Sequence, residues 1–171
     1  MKDILLAASI FLGACSTVVP GTVLKLQGVD PLTADPADIA LQVDLPDSLA
    51  LLPAAGTLDL RATLRDGSEL GGSFPIERRG DVLRVAQAAQ SDLRALQADI
   101  RKWKEADPDG TSGSLSVDLE PCVTVDPVPE DATLSVSVRL DKDGPFLPLV
   151  RNASVVDALD GQPDVALPAC S

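Results

Sequence analysis

A chain of 171 residues with 26 acidic and 14 basic side chains, net charge −12, is the size of one domain and has the wrong sign for nucleic-acid phosphates. It has no histidine and no tyrosine, and its aromatics are three phenylalanines and one tryptophan. The missing histidine excludes Ser-His-Asp and Cys-His nucleophile systems and imidazole-ligated metals, and the scarce aromatics leave little to stack on bases or sugar rings.

The chain opens with Lys2 and Asp3, followed by the apolar run Ile4–Leu12. Nine residues match a signal-peptide core and are about half of what a membrane-spanning helix needs. The run ends in Leu12-Gly13-Ala14-Cys15. A branched aliphatic, two small residues and a Cys resembles the lipobox of bacterial lipoproteins. The resemblance is confined to the N-terminus. It implies removal of residues 1–14, diacylglycerol on the Cys15 thiol and acylation of the new amino terminus. Ser16, where an Asp would signal inner-membrane retention, implies an outer-membrane protein facing the periplasm. Three acyl chains exceed what stable anchoring needs. Removal of 1–14 takes one Lys and one Asp, so the net charge stays −12. Residues 15–21 are then a short tether; the six after Cys15 span at most about 20 Å. A single domain, 22–171, would be held against the membrane.

The first half of that domain reads as strands. Val23, Leu24 and Leu26 are apolar. Ile39, Leu41, Val43 and Leu45 alternate with Ala40, Gln42 and Asp44, and Leu58, Leu60, Ala62 and Leu64 alternate with polar neighbours up to Asp66-Gly67. Period two with polar partners marks a strand with one face on a core. Asp66-Gly67 predicts a hairpin turn, with Ser73–Arg78 as the return strand. Pro75 there predicts an edge or irregular strand. The Leu- and Pro-rich stretch 47–55 reads as a loop crossing between sheets.

The period then changes. Ala86, Ala89, Leu93, Leu96, Ile100 and Trp103 recur at spacings of three and four, which predicts one amphipathic helix over about 81–106, ended by Asp107-Pro108-Asp109-Gly110. Strands resume at Leu115, Val117 and Leu119, with Val123 and Val125 beyond Pro121-Cys122. Leu134, Val136, Val138 and Leu140 form another, closed by Asp141-Lys142-Asp143-Gly144-Pro145. Val155 and Val156 read as a last short strand and 161–171 as an irregular tail. About seven short strands predict a mainly β fold: a two-layer antiparallel β-sandwich, similar to the immunoglobulin and transthyretin types, with one long helix inserted. The core is expected to be aliphatic.

With Cys15 lipidated, Cys122 and Cys170 are an even pair outside the cytoplasm and are expected to form a disulfide. There is no C-x-x-C spacing for redox work. The two Asp-x-Asp-Gly stretches, with Asp107 and Asp109 and with Asp141 and Asp143, could offer oxygens to Ca²⁺. Both lack the remaining ligands of a calcium loop, so turn is the first reading. Arg101, Lys102, Trp103 and Lys104 are the one clustered positive stretch, suited to a lipid headgroup layer. Trp103 also lies on the apolar stripe, which places it in the core. No nucleophile and base stand out, and no cofactor is expected. The sequence therefore predicts a non-catalytic, lipid-anchored module that meets another envelope protein. The alternative is a carrier of a small or apolar ligand between sandwich and helix, with a carboxylate-based envelope hydrolase behind both.

Overall fold

The computed structural model describes residues 30–124, 128–160 and 167–170. The signal stretch, Cys15, the tether and the apolar Val23–Leu26 lie outside the described residues. The elements are β1 (Ala40–Asp44), β2 (Leu49–Thr63), β3 (Glu69–Arg79), β4 (Val82–Val85), α1 (Gln90–Ala106), β5 (Ser112–Val123), β6 (Thr133–Arg139), β7 (Leu147–Ser154) and α2 (Val155–Asp160). All seven strands belong to one curled sheet in the order β5-β2-β3-β4-β1-β6-β7, and every neighbouring pair is antiparallel.

Alternation explains the layering. Register lines up Val117, Leu58 and Phe74 across β5, β2 and β3, and Leu83, Leu41 and Val138 across β4, β1 and β6. Ile76 stands opposite Val85. One face of the sheet is therefore continuously apolar and the other polar, as antiparallel sheets allow. Helix α1 covers the apolar face with buried Leu93, Leu96 and Ile100, and Trp103 packs half-buried against the same core. Each buried aliphatic contributes roughly 1.5–3 kcal/mol. The exposed Lys102–Asp99 pair at 2.7 Å contributes only about 0.3–0.5 kcal/mol. Packing, not surface charge, holds the helix. Gly72 lets it come close, because a Cβ there would meet Phe74 at 3.0 Å and Leu96 at 3.4 Å.

The segment before β1 closes the edge of this core. Leu32, Ala34 and Pro36 are buried. Gln97 of α1, itself 2% exposed, donates its amide to the carbonyls of Pro31 at 2.8 Å and Ala34 at 3.0 Å. Arg101 donates to the carbonyl of Leu32. A second cluster joins Leu49, Ala132 and Val155, which brings the start of β2 towards the start of β6 across the curl.

Several expectations need correction. The helix does not begin at 81: Gly80, with φ 63°, turns the chain, and Val82–Val85 form β4. A short 3-10 turn at Gln87–Ala89 follows, so α1 covers only the later part of the stripe. Residues 49–55 are strand, not crossing loop. Val155 and Val156 open α2, and the last strand is instead Leu147–Ser154. Pro75 sits in an interior strand. Its carbonyl accepts from the Ala86 amide at 2.8 Å, so its missing N–H faces the place where β4 has already ended, and no ladder bond is lost.

Strand β2 carries the main irregularity. Its pairing with β5 jumps from Leu51–Pro121 to Gly56–Leu119, so four residues on β2 stand against one on β5. Ala55 (φ 58°) and Gly56 (φ 136°) absorb the excursion. A Cβ at Gly56 would lie 1.9 Å from the Asp118 carbonyl oxygen. Gly56→Ala is therefore expected to cost more than about 2 kcal/mol, read as a lower urea midpoint. An unchanged midpoint would show that the excursion relaxes freely.

Candidate functional site

Cys122 and Cys170 are joined by a disulfide across a sequence separation of 48. The chain's end is also held by main-chain bonds: Val123 N–H donates to Pro168 O at 2.8 Å and Cys170 N–H to Val123 O at 2.9 Å. The bridge thus pins a short parallel contact, Val123 with Ala169, at the far end of β5.

Both Asp-x-Asp-Gly stretches act locally as turns. An Asp107 carboxylate oxygen accepts from the Gly110 amide at 2.9 Å, and an Asp141 oxygen accepts from the Asp143 amide at 3.0 Å. Asp109 and Asp143 are exposed. Among the described residues no three His, Cys, Asp or Glu side chains converge as metal ligands would.

The basic stretch 101–104 does not form a single patch. Four consecutive helical residues point around the whole circumference. Arg101 is turned to Leu32, Lys102 is paired with Asp99, Trp103 packs on the core and Lys104 is exposed. Lys104 lines a cleft of about 140 Å³ between α1 and the start of β5, with Asp30, Leu32, Leu60, Ile100 and Ser114 among its walls. Asp30 and Leu32 thus lie beside the C-terminal half of α1. Along β5, Ser114 and Cys122 are eight steps apart, about 27 Å. Asp30 and the disulfide therefore lie near opposite ends of that strand. Among the described residues no helix is long and apolar enough to cross a membrane.

The polar face of the sheet carries a small network on its β2–β3 ladder. Asp59, whose side chain is 15% exposed, accepts from Thr57 at 3.1 Å and from Ser73, and lies 4.0 Å from Arg61. Each carboxylate oxygen is already engaged, so the group is structural. Further along the same face, Arg84 and Arg139 both stand directly opposite Ala40 in the register. Neither arginine stood out in the sequence, because only strand order brings them together.

Asp35 and Asp66 have carboxyls held below the ordinary range. For Asp35 the main cause is the Ala37 amide, at 3.0 Å, with Arg94 at 2.7 Å adding to it; for Asp66 it is the Ser68 amide at 2.9 Å. Comparison with protein families, curated proteins and solved structures returned no match.

Two expectations follow. Removing the bridge by Cys170→Ser should lower stability by on the order of 4 kcal/mol for a loop of this length, measured by urea unfolding, with reductant having no further effect on the variant. A depressed carboxyl binds its proton less well in the folded state. Its stabilisation is therefore present above the ordinary pKa of about 3.9 and is lost as pH falls through the lower folded value. Asp35→Asn should flatten the fall in stability below about pH 4, and an unchanged slope there would remove Asp35 from the acid response.

Proposed function

We propose that this chain is a lipid-anchored, non-catalytic envelope protein. Cys15 carries the acyl chains, and the β domain is presented to a partner protein from the outer membrane into the periplasm. Sequence carries this reading: the apolar run Ile4–Leu12 and Leu12-Gly13-Ala14-Cys15 resemble a lipoprotein signal and lipobox. Lys102 pairs with Asp99 and Arg101 is braced on the Leu32 carbonyl, so headgroup contact by this stretch is secondary to the lipid anchor. Trp103 belongs chiefly to the core.

The curl that joins the β2 and β6 starts supports a two-layer reading of the sheet, in which β2–β5 and β6–β7 face each other at that end. Partner contact is assigned to the outer edge of β5, where Ser112–Glu120 present a regular strand that takes an extended segment by β-augmentation. β7 is a poorer template: Pro148, two register shifts against β6 and Asn152 at φ 47° break its edge. The carrier of a small ligand is the weaker alternative, since the clefts beside the helix are about 140 and 250 Å³, below the roughly 300–1,000 Å³ of small-molecule sites.

Metabolic labelling with a fatty-acid analogue tests the anchor. Label and membrane fractionation are expected for the wild type and lost in Cys15→Ser; label retained in the variant removes the lipoprotein reading. A photo-crosslinking residue at Asp118 on the β5 edge should capture one reproducible envelope protein in cells. The same residue at Arg79 should not, and equal capture at both positions would dismiss the edge.

A further inference from the structure

We infer that Arg84 and Arg139 form a binding site for a single phosphate group on the polar face of the sheet. Three adjacent strands place them there. Arg84 on β4 and Arg139 on β6 both pair with Ala40 of β1, so their Cα atoms are two strand spacings apart, about 10 Å. That is within reach of two guanidinium groups converging over the Ala40 methyl, and Ala40 is fully covered.

Their charges are uncommitted. Among the described residues neither arginine has a carboxylate within 4.0 Å, although the chain has 26 acids. The nearest acid in the row is Glu77, which stands opposite Arg84, but Arg79 holds its carboxylate at 2.6 Å. Arg84 uses one donor, on the Ala37 carbonyl at 3.0 Å, which braces the side chain without neutralising it. Among the described residues Arg139 finds no acceptor: its Nε is buried and unpartnered, and the Phe146 ring stacks on its guanidinium at 4.9 Å. Packing, not an internal anion, fixes the plane of this group. A charged donor kept buried without an acceptor is costly, so a position that keeps one calls for an explanation.

The number of forks selects the ligand class. One guanidinium already satisfies the two oxygens of a carboxylate. Two that converge have donors for the additional oxygens of a tetrahedral phosphate. The ligand is accordingly a phosphate, either inorganic or borne by a lipid headgroup.

The test observes the arginine Nε–Hε resonances of the mature chain by ¹⁵N NMR while inorganic phosphate replaces chloride at constant ionic strength. The Arg84 and Arg139 signals are expected to shift together and saturably, at least ten-fold more tightly than with acetate. Arg84→Gln and Arg139→Lys should each weaken binding at least ten-fold while leaving the thermal midpoint within a few degrees. Arg139→Lys keeps the charge and removes the fork, so it separates geometry from net charge. Shifts that do not saturate, that acetate matches, or that survive both substitutions overturn the site. Vesicles with and without phosphatidylglycerol distinguish the sources. Competition between vesicles and phosphate for the same two signals assigns the headgroup, and response to phosphate alone assigns the free ion. Response to vesicles alone overturns a single-phosphate site.

Discussion

The apolar face of the sheet is the constraint on which the rest of the structure depends. Leu58, Leu60, Phe74, Ile76, Leu83, Leu41 and Val138 lie on one side of a single sheet, and that side has to be covered. Two devices cover it. Helix α1 lays Leu93, Leu96 and Ile100 across it, and the curl of the sheet gathers Leu49, Ala132 and Val155 at its end. The segment 30–39 closes the remaining gap, and polar bonds from the helix keep it there. Gln97 matters for that reason: a buried amide donating to two carbonyls satisfies main-chain groups that would otherwise be desolvated without partners.

Five of the 26 acids are answered in the turns. Asp30, Asp35, Asp66, Asp107 and Asp141 each accept from a backbone amide two or three residues on. This is the Asx arrangement, which gives a chain reversal its own acceptor. Carboxylates that look like scattered catalytic or metal candidates in the sequence are thereby engaged in shaping the connections. The cations divide differently. On the polar face Arg61 and Arg79 have carboxylates within 4.0 Å, whereas among the described residues Arg84 and Arg139 have none.

What was legible in the sequence follows from where local pattern and tertiary packing agree. β1, the later half of β2, β5 and β6 alternate over most of their length, and each has one face on the core. The end of α1 was legible at Asp107-Pro108, its start was not. No side chain caps it at Ala89, and Ala86 and Ala89 extend the helical spacing backwards over what is a strand and a 3-10 turn. The early half of β2 was hidden because four residues against one destroy its alternation. β7 was hidden by Pro148 and by a register that shifts twice. Gln97 carried a faint signal, a polar residue beside Leu96 and one turn before Arg101. The arginine pair carried none, since Arg84 and Arg139 are 55 positions apart and only the order β4-β1-β6 makes them neighbours.

Strand β5 joins these observations to the architecture. It is an outer strand, with its long ladder on β2 along one side, and its two ends differ in kind. At Ser114 it shares a cleft with Asp30 and Leu32; at Cys122 the segment Pro168–Cys170 is bonded to it covalently and through Val123. At its Cys122 end the strand cannot peel from β2 without straining the bridged tail. That tension resolves an apparent conflict in the design: an edge left regular enough to accept another strand is ordinarily an aggregation hazard. Here the hazard is limited to Ser112–Glu120, where Asp118 and Glu120 are exposed and Pro121 ends the regular stretch. The bridge that secures the strand therefore also marks one limit of the length over which a second chain would pair with it.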